Sequence, residues 1–201
     1  MGPQEREIGC RGQLICPCSI PTEKALAGEP PVAPDDESLP NDTVQRTMAD
    51  TNAIKWLRAQ SVPFEVLEYT FTEVGADHAA EAVGRPLESC CKTLIVKAVG
   101  KAFWVAIVPG DQRFDTRKMA KAVGVAEAEL AEHDEAEKIS GYQVGGISPF
   151  AMRRQLPVVI EESLLVLDRI IVNGGRRGVL VEMATEDIVR LLNARLADIC
   201  G

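Results

Sequence analysis

The chain has 201 residues, 46% hydrophobic and 26% charged, a composition that can bury one sizeable core and excludes disorder throughout or a collagen-like fibre. Its 22 Lys and Arg against 30 Asp and Glu give a net charge of −8 at pH 7, which argues against a wholly basic surface for non-specific nucleic-acid binding. No run of about 18 uncharged apolar residues is present, so the sequence predicts no membrane-spanning helix.

The N-terminal part of the chain is predicted to be a disordered tail over residues 1–47. This segment contains no Phe, Tyr or Trp and is rich in proline. We therefore expect the tail to be followed by one folded domain over 48–201. Met48 stands at the join, and we hypothesise that the biological chain begins there. A native protein that begins at residue 1 or 2 would exclude this hypothesis.

The six cysteines predict reduced thiols rather than a disulfide scaffold. In the tail, Cys10, Cys16 and Cys18 lack both the C-x2-C spacing and the histidine partners of a zinc site, so we expect no metal and no other cofactor. Because no apolar segment follows Arg6 and Arg11, a secretory signal is not expected and the predicted location is the cytoplasm.

Apolar spacing and cap residues predict helices interspersed with strands along the domain. The first half is predicted to contain a helix capped by Asp50 or Thr51 and ended by Pro63, a strand over 64–71, a helix over 76–83 ended by Gly84, and a hairpin of strands 93–99 and 102–108 that turns at Gly100-Lys101. The second half is predicted to contain a helix from Asp115 to Val123, a helical stretch from Glu127 to Ile139, a loop over 141–149, strands over 157–161 and 169–172, a turn over 173–178, a strand over 179–183, and a last helix capped by Thr185 whose apolar stripe reaches Ile199.

The predicted connections indicate the fold class. Hairpins join most of the strands, and helices are interspersed among them. We therefore predict an α+β domain with a mixed, largely antiparallel sheet rather than a doubly wound parallel one.

The sequence offers no evident pair of nucleophile and general base. His78 lies among alanines and His133 in an acidic stretch, and both positions are typical of surface histidines. Cys90 and Cys91 precede a strand and are interpreted as buried structural thiols rather than reactive ones. The absence of a G-x-S-x-G motif and of a glycine-rich phosphate-binding motif argues against a serine hydrolase and against a nucleotide-dependent enzyme.

Two glycine-rich loops and one lysine form the candidate site. Gly145–Pro149 offers backbone N–H groups to a ligand carbonyl or carboxylate. Asn173–Gly178 adds Arg176 and Arg177, whose guanidinium groups could pair with phosphate. Lys92 opens an apolar strand. From spacing alone the loops could also be simple turns, and the lysine could be a solvated residue that prevents edge pairing, so these alternatives stay open.

Three segments occur in a distinctive order and separation: Lys92-Thr-Leu-Ile-Val, Gly141-Tyr142 through Gly145-Gly146-Ile147-Ser148-Pro149, and Asn173-Gly-Gly-Arg-Arg-Gly. Through them the sequence resembles the YbaK/EbsC family, the free-standing relatives of the editing domain inserted in bacterial prolyl-tRNA synthetases. The resemblance covers about residues 51–199. It implies an α+β domain with a mixed, curved sheet ringed by helices, and an enzyme that cleaves the ester between a wrongly attached amino acid and the 3′ end of tRNA.

The resemblance also implies residue roles. Lys92 would hold the substrate by its charge near the terminal adenosine or the ester, and the backbone of the second segment would donate to the aminoacyl carbonyl, where negative charge grows. The nucleophile would be a water, the thiol of a cysteine substrate or the ribose 2′-OH. The implied catalytic residues are Lys92, Gly145, Gly146 and Ile147. The implied substrate-binding residues are Tyr69, Ser148, Pro149, Asn173, Gly174, Gly175 and Arg176.

The expected activity is trans-editing deacylation of Cys-tRNA(Pro) or a related small-amino-acid tRNA, by ester hydrolysis or by a lyase-like step if cysteine cyclises. The expected partners are aminoacyl-tRNA and prolyl-tRNA synthetase, with no membrane, and the oligomeric state stays open. The cysteine-specific branch resembles this chain less at Asn173 and Leu180, where it has a serine and an acidic residue.

Two other functions compete with deacylation. The first is a non-catalytic binding module that holds aminoacyl-tRNA or a synthetase in the same pocket, and the second is a redox or metal protein built on the tail cysteines. Because the negative net charge disfavours binding of a tRNA, such a substrate would need a local basic patch. The candidates are Arg113, Arg117, Lys118, Lys121, Arg153, Arg154, Arg176 and Arg177.

Overall fold

The computed structural model describes residues 51–98 and 102–201. Its helices and strands are α1 (Asn52–Ala59), β1 (Phe64–Glu68), α2 (Ala76–Val83), β2 (Lys92–Ala98), β3 (Ala102–Val108), α3 (Thr116–Val123), β4 (Ala128–Leu130), α4 (His133–Ser140), β5 (Val158–Glu161), β6 (Arg169–Arg176), β7 (Val179–Ala184), α5 (Thr185–Leu192) and β8 (Arg195–Ala197). Short 3-10 helices cover Leu87–Ser89 and Glu162–Val166. The predicted tail over 1–47, its cysteines, the boundary at Met48 and the predicted turn at Gly100-Lys101 lie outside the described residues.

The described strands form two sheets. One has the order β1-β7-β6 and is antiparallel throughout. The other has the order β4-β2-β3-β5-β8, in which β2 pairs antiparallel with β3 and β4, while β5 pairs parallel with β3 and β8. The predicted α+β class with mixed, largely antiparallel pairing is confirmed, with the strands divided between two sheets.

Side chains from both sheets share one hydrophobic cluster. Ile95 and Ile107 of the larger sheet and Val172 and Val181 of the smaller one belong to it, together with residues of α1 and α5. Burial of this apolar surface is the main favourable contribution to folding. The shared core holds the two sheets together and fixes the loops at their ends.

The predicted helix ends agree with the structure at several positions. The Thr51 hydroxyl accepts the Ile54 N–H and caps α1, and the Asp115 carboxylate accepts the N–H groups of Arg117 and Lys118 and caps α3. The predicted glycines that end α2, α3 and α4 adopt the left-handed conformation that glycine tolerates best, at Gly84, Gly124 and Gly141.

The predicted helix from Glu127 to Ile139 is wrong in its first part. Residues 128–130 instead form β4, which pairs with the edge of β2 so that Val96 lies opposite Leu130. Backbone groups on an open sheet edge need partners, and β4 supplies them. The helix α4 begins only at His133.

The predicted extent of the last helix is also wrong. Asn193 adopts a left-handed conformation and ends α5, and Arg195–Ala197 then pairs with β5 as β8. Ile199 is buried against Met119 in a separate cluster rather than on the α5 stripe. Thr185 is the first residue of α5 rather than its cap, and its hydroxyl donates to the Leu167 carbonyl.

Two strand limits differ from the predictions. The first strand ends at Glu68 rather than Phe71, and the following residues line a cavity described below. The predicted turn over 173–178 is shorter, since β6 continues to Arg176 with an irregular register between Asn173 and Arg176. Arg177 and Gly178 alone connect β6 to β7.

The helices of the described part are short. Each of the five α-helices has eight residues, so none of them can cross a membrane.

Candidate functional site

A cavity of about 850 Å³ lies among loops and strand ends of both sheets. This volume is in the usual range for small-molecule pockets. Segments far apart in sequence line it: the exit of β1 (Tyr69, Phe71, Val74), the start of α2 (Gly75–Asp77), β2 (Lys92–Ile95), the turn after β3 (Gly110, Asp111), the start of α4 (Glu132, His133), the loop after α4 (Val144, Gly145, Ile147) and the last hairpin (Asn173, Leu180).

Lys92 is the first residue of β2 and lies in the cavity wall. Its Nζ donates to the main-chain oxygen of Gln112 at 2.9 Å, and the side chain of Gln112 donates to the Ser163 hydroxyl at 3.3 Å. The lysine is half-buried rather than fully solvated. A fixed positive charge therefore borders the cavity, as electrostatic binding of an anionic ligand requires.

The glycine loop, defined here as residues 144–149, is anchored by Tyr142. The Tyr142 hydroxyl donates to the carbonyl oxygen of Phe150 at 2.7 Å, and the Val144 N–H donates to the Glu137 carboxylate at 2.9 Å. Burial raises the pKa of Tyr142 to about 12, so its hydroxyl remains a neutral donor. The loop is thereby fixed at both ends.

The backbone N–H groups of the glycine loop are not equivalent. The Gly146 N–H donates to the Gln143 carbonyl at 2.8 Å. In the described part of the chain, the N–H groups of Gly145 and Ile147 have no acceptor, and both residues line the cavity. They are the donors that a ligand oxygen could use. Gly145 has φ +87°, which glycine adopts without strain.

The last hairpin packs against the glycine loop. The Asn173 side-chain amide donates to the Gly145 carbonyl at 3.0 Å, and Arg177 Nε donates to the Val144 carbonyl at 2.9 Å. A Cβ on Gly146 would lie 2.9 Å from the backbone nitrogen of Arg177, which is closer than a real Cβ approaches. This approach explains the glycine at position 146.

Several residues of the predicted site lie behind the cavity wall. Ser148 and Pro149 are buried, and the Ser148 hydroxyl accepts the Phe150 N–H. The Gly174 carbonyl accepts the Thr51 hydroxyl, and a Cβ on Gly175 would lie 2.9 Å from the Tyr142 ring. These positions support the walls and do not line the cavity.

Arg176 lies outside the cavity lining as well. It is exposed, and its nearest anionic partner is Glu68 at 4.0 Å. The predicted residues that the structure brings to the cavity are therefore Tyr69, Lys92, Gly145, Ile147 and Asn173. Gly146 is adjacent to them but is not part of the lining.

Tyr69 lies where the chain leaves β1. Its backbone N–H donates to the Gly178 carbonyl at 3.0 Å, which ties this wall to the last hairpin. Burial raises the pKa of the Tyr69 phenol above its ordinary value. At neutral pH the hydroxyl is therefore protonated and can donate a hydrogen bond.

The thiols near the cavity are poor nucleophiles. Cys91 lines the cavity and Cys90 is buried behind it. Burial raises the pKa of Cys90 to about 11 and raises that of Cys91 further, so both remain thiols at neutral pH. Of the histidines, His78 lies 2.8 Å from Glu73, whereas His133 is exposed at the start of α4 and lines the cavity edge.

Sequence reasoning did not include the turn after β3 in the candidate site. Gly110 and Asp111 line the cavity, and a Cβ on Gly110 would lie 2.6 Å from the carbonyl oxygens of Leu87 and Cys90. The signal was available: β2 pairs with β3 so that Lys92 lies opposite Val108. The residues that follow Val108 must therefore lie near Lys92.

Comparison with known proteins identifies relatives over most of the described chain. The family model described as an aminoacyl-tRNA editing domain matches residues 74–191. EbsC of Enterococcus faecalis, named for Cys-tRNA(Pro) and Cys-tRNA(Cys) deacylation, is 33% identical over 157 residues, which are 77% of this chain and 96% of EbsC. ProXp-y of Escherichia coli K12, named as a multifunctional Ser/Thr-tRNA deacylase, is 28% identical over 150 residues, 72% of this chain and 89% of the relative.

A solved structure has the same fold. It is described as a trans-editing protein for prolyl-tRNA synthetase, and it superposes with a TM-score of 0.69 at 23% identity. The superposition covers 76% of this chain and 99% of the other.

Proposed function

Because the chain belongs to the aminoacyl-tRNA editing domain family, we propose that it hydrolyses, in trans, the ester between a wrongly attached amino acid and the 3′ end of tRNA. The observation that carries this proposal is that the N–H groups of Gly145 and Ile147 have no acceptor among the described residues, and that both residues line a cavity that Lys92 also lines. Donors fixed beside a carbonyl stabilise the oxyanion that forms when a nucleophile adds to it.

The proposed reaction needs no protein nucleophile. A water oxygen adds to the ester carbonyl carbon, and the carbonyl oxygen becomes an oxyanion held by the glycine-loop N–H groups. The intermediate collapses with cleavage of the bond to the ribose 3′ oxygen, which takes up the proton lost by the water. Since Cys91 remains a neutral thiol, orientation and electrostatic stabilisation would supply most of the rate enhancement.

Lys92 would act as a fixed charge. Its contact with Gln112 holds the ammonium group at the wall, where it could pair with the terminal phosphate of the tRNA or polarise the ester. The neutral Tyr69 hydroxyl would donate to the ribose or to the amino acid. Arg176, exposed on the last hairpin, would contact the tRNA backbone.

We propose Cys-tRNA(Pro) or another small-amino-acid tRNA as the substrate. The relatives named above act, by their names, on cysteine and on serine or threonine esters. In this chain the cavity wall has the buried, apolar Leu180 and the neutral amide of Asn173, which donates to the Gly145 carbonyl. An apolar wall of this kind distinguishes side chains by size, at about 1–3 kcal/mol per methylene.

A synthetase is proposed as the second partner. The chain carries a net charge of −8, which lowers its affinity for the tRNA backbone. Binding to prolyl-tRNA synthetase would raise the effective concentration of mischarged tRNA near the cavity.

The experiment is loss of labelled amino acid from a panel of tRNAs charged with cysteine, alanine, serine or threonine, with correctly charged Pro-tRNA(Pro) as the control. Rapid loss from a mischarged member together with a stable Pro-tRNA(Pro) would support the proposal and name the substrate. Binding of charged tRNA without loss from any member would favour the non-catalytic binding module instead. Formation of a cysteine thiolactone, in place of free cysteine, would indicate attack by the substrate thiol.

A further inference from the structure

Arg177 joins two walls of the cavity without lining it. It lies in the two-residue turn between β6 and β7. Its Nε donates to the Val144 carbonyl at 2.9 Å, and its guanidinium carbon lies 5.2 Å from the centroid of the Phe71 ring. Val144 and Phe71 both line the cavity. One side chain thus contacts both the glycine loop and the segment after β1, and it fixes the distance between them.

The contact with Val144 also determines the direction of a free donor. In a trans peptide the C=O and the following N–H point in opposite directions. Because the Val144 carbonyl points to Arg177, the Gly145 N–H must point away from Arg177. That N–H has no acceptor within the part of the chain that the structure describes. A charged donor on the carbonyl also polarises the peptide and makes its N–H a stronger donor.

Asn173 makes a similar contact with a different consequence. Its amide donates to the Gly145 carbonyl, which belongs to the peptide that carries the Gly146 N–H. That N–H is already bonded to Gln143. Of these two contacts, therefore, the one made by Arg177 aims a donor that is still available to a ligand.

The wall on the Phe71 side is held by the same turn. A cation placed over an aromatic ring at this distance is attracted to the ring face. Next to this contact, the Tyr69 N–H donates to the Gly178 carbonyl, and a Cβ on Gly178 would lie 2.7 Å from the backbone carbonyl oxygen of Tyr69. The turn therefore fixes the exit of β1 by its backbone and Phe71 by the arginine side chain.

We infer that Arg177 is a positioning residue for the deacylation: it aims the Gly145 N–H at the ester carbonyl and sets the spacing between the glycine loop and Phe71. The inference rests on the proposed function only in naming the carbonyl as the target. The competing role is a direct contact between the guanidinium group and a tRNA phosphate, which would act on binding rather than on the chemical step.

The kinetic experiment uses the full chain with Arg177→Met and, for comparison, Arg176→Met on the same hairpin. For Arg177→Met we expect kcat to fall by about ten- to a hundredfold, since a small displacement of an oxyanion donor is costly. Its KM, its Kd for uncharged tRNA and the salt dependence of that Kd should stay as in the wild type. Arg176→Met should instead raise KM and reduce the salt dependence, with kcat retained.

A second variant covers the case in which Arg177→Met does not fold. Phe71→Leu leaves the arginine and its charge in place, so it should lower kcat in the same direction without reducing the salt dependence of the Kd for tRNA. Arg190→Met removes an exposed arginine of α5 that pairs with Asp187, and it should change neither quantity.

Amide hydrogen exchange of the glycine loop provides a readout that does not depend on activity. Exchange of the Gly146 amide, which donates to the Gln143 carbonyl within the same loop, should be faster in Arg177→Met and in Phe71→Leu than in the wild type. If the wild type deacylates no substrate, the proposed function fails, and the exchange result still decides whether Arg177 orders the loop. Unchanged exchange with unchanged kcat, or a weaker Kd with a lower salt dependence, would overturn the inference.

Discussion

The hydroxyl oxygen of Thr93 is buried on β2 and lacks a hydrogen-bond partner among the described residues. An unsatisfied buried polar atom costs free energy, because it has lost its hydrogen bonds to water. We predict that Thr93→Val, which replaces the hydroxyl by a methyl group of the same shape in a strand, raises the free energy of unfolding by about 1 kcal/mol. Urea unfolding of the two proteins measures the difference. A less stable variant would indicate that a water or a ligand bonds this hydroxyl.

At Lys92 the spacing, the family resemblance and the structure can be compared for a single residue. Spacing alone favours a solvated lysine at a strand end, whereas the family resemblance implies that Lys92 lies in a pocket. In the structure its ammonium group contacts the Gln112 carbonyl, because the chain turns back beside Lys92 after β3. The residues around position 92 do not encode this contact locally, and it follows only from the register of the β2–β3 hairpin. The role of the residue in catalysis stays a prediction.

The glycine loop and the last hairpin act as one element pair. We predict that Gly146→Ala lowers kcat by about tenfold or more. The Cβ of the alanine would lie 2.9 Å from the backbone nitrogen of Arg177 and must displace the loop. Backbone atoms cannot move aside as a flexible side chain can. Single-turnover deacylation measures the effect, and circular dichroism checks the fold.

The control for this loop variant is Gly84→Ala at the end of α2. There a Cβ meets no atom, but φ is +63°, so the variant should lose about 1 kcal/mol of stability through strain alone. Its kcat should be retained. Equal loss of activity in both variants would show that the effect arises from stability and not from the loop.

Among the elements, sequence patterns predict the glycines that end helices and the strands of the hairpins well, and the sheet edges poorly. Gly84, Gly124 and Gly141 end helices as local chemistry dictates. The segments of β4 and β8 contain apolar residues at helical spacing, which predicts a helix for each of them. They are strands because the edges of β2 and β5 needed backbone partners, which is information from distant parts of the chain.

For the whole molecule, buried acidic groups predict a loss of stability at alkaline pH. Burial raises the pKa of Cys90 to about 11 and that of Cys200 to about 12, against 9.0 when exposed. At a pH between the pKa of an exposed thiol and that of the buried one, the folded protein keeps a proton that the unfolded chain has released. Raising the pH in this range therefore favours unfolding. The contribution of these thiols to stability should be constant below pH of about 9 and fall as the pH approaches about 11.

The measurement for this prediction is the urea midpoint at pH 7.5 and at pH 10. The double variant Cys90→Ala and Cys200→Ala should have a lower midpoint at both values but a smaller decrease between them. The prediction is contradicted if the wild-type midpoint is the same at both pH values, or if the decrease persists undiminished in the double variant.

At the same scale, the family could be predicted from three separated segments, and the match over residues 74–191 confirms it. The structure explains why these three segments jointly indicate the family. Lys92, the glycine loop and Asn173 come from different elements yet border one cavity. The amino acid removed could not be predicted in this way, because cavity size depends on side chains such as Leu180 and on the turn after β3.

The measurement that tests ester cleavage at this cavity most directly is single-turnover deacylation by Lys92→Ala beside Lys97→Ala, with the most reactive substrate of the panel. Lys97 belongs to the same strand but pairs with Glu135 and lies outside the cavity lining. We predict that Lys92→Ala abolishes deacylation with the fold retained, while Lys97→Ala reacts at the wild-type rate. Wild-type activity in a folded Lys92→Ala protein would contradict the account.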